Sequence, residues 1–231
     1  MISRLKELDD RPLVRPRATS DRLLGCCRDF AVLFTSMARY RKIPARVRVG
    51  FANYFADYPP SLWIDHTIAE YWSPRERRWR LVDPEQSPAL VSANHIAFDP
   101  TDVPRDRFLV GGQAWQLCRN GATDPDKFGV EAKGQPRGLW FVRSRLLLDN
   151  AGLNRQEVLL WDAWSAAGPT ARIGRAGMEQ LDQRAAVSKA NPPPFNKARA
   201  LYRSRRWKVP RGVVVYSPVS RPYRETLRIP V

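Results

Sequence analysis

The sequence after residue 25 constrains the fold more than any other part of the chain, because one helix pattern and three strand patterns follow each other closely there. From Cys27 to Arg41 the apolar residues are as dense as in a helix that is buried on most sides. Residues 45–49 alternate strictly, as a half-buried strand does. Residues 66–72 and 78–82 predict two more strands, paired antiparallel across a short turn. The segment therefore predicts one buried helix followed by a group of strands.

Three chemically active side chains occupy the ends of these elements. Cys27 begins the helix, His66 begins one strand and Asp83 follows the next. The first turn of a helix favours a thiolate, because its backbone N–H groups are unpaired and its dipole is positive. A histidine can take the thiol proton, and a carboxylate can fix the tautomer of that histidine. We therefore consider Cys27, His66 and Asp83 candidate catalytic residues, as nucleophile, base and orienting group.

Each cysteine and aspartate in this region also has a simpler interpretation. A free cysteine is most often a small buried apolar residue, and we interpret Cys26 and Cys118 in this way. Asp83 precedes a proline and, without His66, would be interpreted as a turn residue. Asp29 lies in the first turn of the predicted helix, where an acid complements the helix dipole, so we assign it a structural role.

Four motifs around these residues resemble the core signature of the transglutaminase-like superfamily, and the downstream residues 98–129 and 138–143 are similar to a bacterial branch of it. The motifs are Gly25-Cys26-Cys27-Arg28-Asp29, Lys42-Ile43-Pro44-Ala45-Arg46, the strand from His66 to Glu70 and the strand from Trp79 to Asp83. Lys42 stands where the family has a glycine. The resemblance covers roughly residues 20–85, and its specificity comes from four motifs in the correct order.

The resemblance implies an α+β fold with a transglutaminase-like, papain-like core. In that core an N-terminal active-site helix packs on an antiparallel sheet, and additional C-terminal helices follow. We predict a single domain over residues 1–231. Within it we place the catalytic core at residues 20–90 and a family-specific helical elaboration, packed on that core, at residues 91–231.

The resemblance also implies cysteine-dependent acyl transfer on an amide or an ester through Cys27, His66 and Asp83. Water as the acceptor would make the protein an amidase or a peptidase, and an amine as the acceptor would make it an acyltransferase. The alternative is a catalytically inactive scaffold that binds a peptide or a protein. It is supported by the absence of any Gln or Trp upstream of Cys27 that would complete an oxyanion hole.

An aromatic loop over residues 52–64 is the candidate for substrate contact, since loops carry binding groups on a rigid scaffold. It contains Tyr54, Tyr58 and Trp63. Glu70, which shares a strand face with the histidine, is a further candidate for substrate contact, as a residue that orients or shields the site; the alternative is an exposed strand residue.

The remaining sequence predicts further helices and one late strand. The predicted helices cover residues 106–119, 139–149, 155–164, 176–187 and 195–203, and the strand covers residues 212–216. Pro12 and Pro16 are expected to break any helix in residues 1–20. Residues 165–231 contain apolar helical faces, so we expect them to fold onto the core.

Composition excludes several classes of function. The net charge is +16, but 32 of the 39 basic residues are arginine, as a GC-rich genome produces regardless of function. No nucleic-acid recognition motif is present, so we do not expect nucleic acid as a partner. No apolar run is long enough to span a bilayer, and the first residues lack the apolar core of a signal peptide.

The cysteine and histidine inventory sets the remaining expectations. Three cysteines, two of them adjacent, do not form a disulfide framework, so we expect a reducing, cytoplasmic setting. Two histidines without metal-ligand spacing predict no metal site, and the lack of a phosphate-binding loop predicts no cofactor. The expected partner is a peptide, a protein or a small amide substrate.

Overall fold

Seven α-helices and eight β-strands form the part of the chain that the structure, a computed structural model, describes: residues 2–130, 136–164, 166–215 and 223–226. The helices are α1 (Ile2–Leu8), α2 (Cys27–Tyr40), α3 (Pro88–Ala93), α4 (Gly111–Arg119), α5 (Leu139–Leu153), α6 (Arg175–Lys189) and α7 (Phe195–Tyr202). The strands are β1 (Ala45–Ala52), β2 (Trp63–Ser73), β3 (Arg78–Val82), β4 (Phe108–Val110), β5 (Phe128–Gly129), β6 (Asp162–Ala163), β7 (Gly212–Val215) and β8 (Tyr223–Thr226).

The main sheet has the strand order β3-β2-β1-β4 with antiparallel neighbours, and β5 pairs in parallel with the start of β2. Helix α2 packs against β1 and β2, and α5 packs against β1. This arrangement of helices on an antiparallel sheet confirms the predicted α+β class. A smaller sheet has the order β6-β7-β8. No helix in the described part of the chain is long and apolar enough to cross a membrane.

Gly50 permits the close approach of β4 to the middle of the sheet. It pairs with His66 on one side and with Val110 on the other. A Cβ at Gly50 would lie 2.0 Å from the backbone oxygen of Leu109, which no side chain tolerates. Glycine is therefore required where the histidine strand and β4 flank β1.

The structure differs from the sequence expectations in three segments. Residues 106–119 were predicted to be one helix, but they form β4 and then α4, because pairing with β1 outweighs local helix propensity. The helix predicted for residues 155–164 is also wrong: this segment is irregular and ends in the short strand β6. Residues 1–20 do contain a helix, α1, which ends before the first of the two prolines.

The C-terminal helices contribute directly to the largest apolar core of the described residues. Leu181 and Ala185 of α6 pack with Trp207 and Val213 in a cluster that also contains Phe51 of the main sheet. Trp207 is only 1% exposed. Burying side chains of this size contributes roughly 1.5–3 kcal/mol each, before the entropy of ordering. Residues 165, 216–222 and 227–231, which also fell within the predicted C-terminal segment, lie outside the described residues.

A buried ion network joins the main sheet to α5 and α6. Arg48 of β1 donates to both carboxylate oxygens of Asp149, at 2.9 and 3.0 Å, and to the carbonyl oxygen of Ser188 at 2.6 Å. The Ser188 hydroxyl donates to Asp149 at 2.7 Å. The polar positions of β1 therefore face a charged interior and not solvent, which is why β1 is buried along almost its whole length.

Candidate active site

Cys27 is the first residue of α2 and is 9% exposed. Cys26 is the N-cap of this helix, and its backbone N–H donates to the carboxylate of Asp29 at 3.1 Å. Arg28 donates to the backbone carbonyls of residues 157 and 158, which fixes the start of α2 to a segment far along the chain. The helix start thus holds the Cys27 thiol in one place, and Asp29 caps the helix, which agrees with the structural role assigned to it from the sequence.

His66 and Asp83 form a buried pair. Nε2 of His66 lies 2.7 Å from Oδ2 of Asp83, and the Tyr54 hydroxyl donates to the same oxygen at 2.8 Å. Burial alone would lower the pKa of His66, but the Asp83 carboxylate raises it above its ordinary value. Because Nε2 is engaged by Asp83, Nδ1 is the ring nitrogen left for a further partner.

Aromatic rings enclose the imidazole of His66. The ring of Phe55 lies edge-on at 5.0 Å between centroids, that of Tyr54 at 6.0 Å and that of Phe108 at 6.4 Å. Such walls restrict the rotation of the imidazole and limit the access of water, so the proton-accepting nitrogen keeps its direction.

Glu85 is a member of the site that the sequence interpretation missed. One ligand-type atom from each of Cys27, His66 and Glu85 lies within 4.8 Å of the other two. The carboxylate Oε2 of Glu85 is 3.9 Å from Nδ1 of His66, and burial raises the pKa of this carboxyl group. The one sequence signal was its position two residues after Asp83, in the turn that ends β3.

The adjacent thiols of Cys26 and Cys27 have opposite pKa shifts. The hydrogen bond with Cys26, burial, and the carboxylates of Asp65 and Glu85 raise the pKa of Cys27 well above its usual range. The hydrogen bond with Cys27 lowers the pKa of Cys26 to about 7. Cys26 is therefore a capping and hydrogen-bonding residue and not merely a packing residue, and Cys27 needs a base to take its proton.

Glu70, one of the predicted substrate-contacting residues, lies in an ion network instead. Its fully buried carboxylate accepts from Arg46 at 2.6 Å, from Arg48 at 2.8 Å and from Arg105 at 2.7 Å. Burial alone would raise the pKa of Glu70, but these arginines lower it to about 2. The structure thus gives Glu70 an ion-pairing role in the main sheet.

The aromatic residues predicted to contact substrate are divided between different environments. Tyr54 is buried behind Asp83, where it holds the carboxylate. Trp63 belongs to β2 and stacks on Phe128 at 6.2 Å between ring centroids, so it packs against the core. Tyr58 is half-buried in the loop that precedes β2.

A cavity of about 560 Å³ shares a wall with the Cys27 site. Leu160 and Trp161 line this cavity and also belong to the apolar cluster around Cys27. Asp65 and Arg145 line it as a salt bridge with two hydrogen bonds of 2.6 Å. Most of the lining is aliphatic or aromatic, so the cavity suits an apolar group.

A thiol at a helix start, an imidazole on a strand and a carboxylate behind the imidazole define the papain-like class of thiol-enzyme sites. The family model of the transglutaminase-like superfamily matches residues 9–84, the segment that carries Cys27, His66 and Asp83. This segment therefore belongs to the transglutaminase-like superfamily, as the sequence resemblance predicted. Members typically transfer acyl groups through a cysteine. No significant match was found among curated proteins or among solved structures.

Proposed function

We propose that the protein transfers an acyl group from an amide or an ester through Cys27. The observation that carries this proposal is the position of the His66 imidazole, which is bonded to Asp83 on one side and lies beside the thiol on the other. Asp83 orients His66 and stabilises its charged form. These are the parts that nucleophilic catalysis by a thiol requires.

The proposed reaction has two halves. His66 takes the thiol proton as the Cys27 sulfur bonds to the carbonyl carbon, and the developing oxyanion is met by the backbone N–H of Cys27. The bond to the amine or alcohol then breaks, and His66 returns the proton to that leaving group. Water or an amine attacks the resulting thioester, which releases an acid or a new amide and restores the Cys27 thiol.

The cavity beside Cys27 is proposed to hold the acyl side of the substrate. Its wall of Leu160 and Trp161 is apolar, and the Asp65–Arg145 pair is neutral as a unit. The other carboxylate in the lining, Asp162, accepts from the backbone N–H of Leu159 at 2.8 Å. An uncharged aromatic or aliphatic acyl group fits this lining better than a charged group, because a buried charge would lack a partner. The substrate is accordingly proposed to be a peptide, a protein or a small amide that carries such a group.

Acylation by two activated esters tests this function. With p-nitrophenyl phenylacetate we expect a burst of p-nitrophenol and a phenylacetyl adduct that peptide mass spectrometry locates on Cys27. The acetate ester should react more slowly, because it leaves the cavity unfilled. Cys27→Ala should abolish the burst, and the matched variant Cys26→Ala should keep it. An adduct on Cys26 alone, or a burst that survives Cys27→Ala, would overturn the assignment.

A second candidate function, a catalytically inactive scaffold for a peptide or protein partner, is favoured by one observation. The Cys27 thiol is buried and hydrogen-bonded to Cys26, and aromatic rings enclose its base. The scaffold would give no burst and no adduct with either ester while the wild-type protein remained folded. The ester experiment therefore separates the two candidates.

A further inference from the structure

The side chains of Cys27, His66 and Glu85 form a ligand set for a metal ion. A thiolate sulfur, an imidazole nitrogen and a carboxylate oxygen are the three ligand types that zinc prefers in proteins. Here one such atom from each residue lies within 4.8 Å of the other two. The earlier expectation of no metal site counted cysteines and histidines only, and the fold supplies the carboxylate that this count omitted.

The second contact of His66 is the one that a zinc-bound histidine has in proteins. Metal-binding imidazoles usually donate their other ring N–H to a carboxylate, which fixes the ring and increases its basicity. Oδ2 of Asp83 lies 2.7 Å from Nε2 of His66, and the Tyr54 hydroxyl donates to the same oxygen at 2.8 Å. Nδ1, on the side of Glu85, is thereby left with a lone pair for a cation.

Glu85 is available as a ligand. Among the described residues, its carboxylate has His66 as its only charged partner within 4 Å, and its side chain is 24% exposed. The other carboxylates of the site are already occupied: Asp83 by His66 and Tyr54, and Asp65 by Arg145. A cation at this position would give Glu85 a closer partner than the His66 nitrogen at 3.9 Å and would have a path from solvent.

The three ligand atoms need to move only slightly closer together to bind a zinc ion. Tetrahedral zinc with bonds of about 2.0–2.3 Å places its ligand atoms about 3.3–3.6 Å apart. The distance between Nδ1 of His66 and Oε2 of Glu85 is 3.9 Å, and no pair in the set exceeds 4.8 Å. Rotation of the glutamate side chain, which lies in a turn, shortens the two distances that involve Glu85.

We propose that Cys27, His66 and Glu85 bind one zinc ion, with a fourth coordination position left for water. Binding replaces the thiol proton of Cys27, which is released to solvent, with a sulfur–zinc bond. Zinc would then occupy both the sulfur and the imidazole nitrogen that acyl transfer uses. The consequence that zinc inhibits the enzyme rests on the proposed function, whereas the zinc site itself does not.

Direct titration of the full-length protein with zinc tests the site. The protein is first freed of metal with a chelator and kept reduced. Calorimetry should then give one zinc per chain, and cobalt in place of zinc should produce the absorption band of a thiolate-to-cobalt bond. Cys27→Ser and Glu85→Gln should each weaken zinc binding at least tenfold and Asp83→Asn about 10–100-fold. The matched variant His95→Ala, which replaces an exposed histidine outside the site, should bind as the wild type does.

Two titration results would overturn the zinc site. One is the absence of stoichiometric binding, and the other is binding that neither Cys27→Ser nor Glu85→Gln weakens. Protection of Cys27 from iodoacetamide by zinc, measured on the wild-type protein, supports the site without any variant, and labelling that zinc leaves unchanged contradicts it. If zinc binds but no ester burst occurs, the acyl-transfer proposal is rejected and the zinc site stands. If a burst occurs but zinc does not bind, the zinc site is rejected and the acyl-transfer proposal stands.

Discussion

The segment that matches the superfamily and the region that follows it contribute different parts of the candidate site. Residues 9–84 supply Cys27, His66 and Asp83. The later region supplies the cavity wall at Leu160 and Trp161. The candidate reactive groups thus come from the segment that matches the superfamily, and most of the cavity lining comes from the later region. A superfamily match alone therefore indicates the chemistry and leaves the substrate open.

The two regions are connected through charged groups at specific points. Arg145 of α5 binds Asp65, which is adjacent to His66 in β2. Arg28 of α2 donates to backbone carbonyls of the 157–158 segment, next to the cavity wall. Hydrogen-bonded charges fix register and direction more strictly than apolar contacts do. The position of the cavity relative to the thiol is accordingly set by these contacts.

Breaking the buried ion pair between Arg48 of β1 and Asp149 of α5 should have the largest effect on stability. Asp149→Asn removes the charge that two nitrogens of Arg48 bind, and leaves a buried arginine without full compensation. Removing one partner of a buried ion pair costs about 3–5 kcal/mol. We expect a loss of this size in the free energy of unfolding, measured by urea denaturation.

The matched control for this experiment is Glu7→Gln in α1. The Arg4–Glu7 pair is exposed on both sides, so its loss should leave the urea midpoint unchanged. If Asp149→Asn were as stable as the wild type, Arg48 would not couple the sheet to the later helices.

The second prediction concerns acid stability. The pKa of Glu70 is about 2 in the folded protein and 4.5 as its ordinary value. Because the pKa of the Glu70 carboxyl group is lower in the folded protein than in the unfolded chain, its ionisation stabilises the fold. This stabilisation is fully present above pH 4.5 and is lost as the pH falls towards 2. The corresponding loss is about 3 kcal/mol, since each pKa unit is worth about 1.4 kcal/mol.

Urea denaturation at several pH values between 5 and about 2.5 measures this loss. Glu70→Gln should lower the stability at pH 5 and flatten its fall below pH 4.5. The exposed Glu179 provides the control, because Glu179→Gln should keep the pH dependence of the wild type. An equally steep fall in Glu70→Gln would show that other carboxylates are responsible.

Local patterns predicted the elements that carry the reactive groups. The dense apolar residues after Cys27, the alternation from residue 45 and the turn after residue 73 are each contained within one element, so the sequence was sufficient for them. The later region was harder to predict. Strand β4 forms only because β1 presents Gly50 to it, a contact between residues about sixty positions apart in the chain.

The same distinction between local and long-range contacts explains what the sequence missed in the site. In the sequence, Glu70 does not differ from other strand glutamates. Its ion-pairing role depends in part on Arg105, which lies in a loop 35 residues further along the chain and donates to the carboxylate. The role of Tyr54 depends on the position of Asp83, which is 29 residues further along the chain. Glu85 becomes part of the site through its distance to His66, which is a property of the folded turn. Contacts of this kind are not encoded in any short pattern.

The smallest expected effect is that of Tyr54→Phe, a substitution within the superfamily segment that tests whether Tyr54 positions His66. Its hydroxyl donates to the Asp83 oxygen that His66 also contacts. A hydrogen bond to a charged group is worth about 1.5 kcal/mol or more, so Tyr54→Phe should reduce kcat with the phenylacetyl ester about tenfold. KM should change little, because the ring still packs beside the imidazole and the cavity is untouched. The melting temperature should fall by a few degrees, because the lost hydrogen bond also stabilises the fold. Tyr58→Phe, in the same loop, is the matched control and should keep the wild-type kcat. A Tyr54→Phe effect on KM alone would instead indicate substrate contact, as the sequence first suggested for this loop.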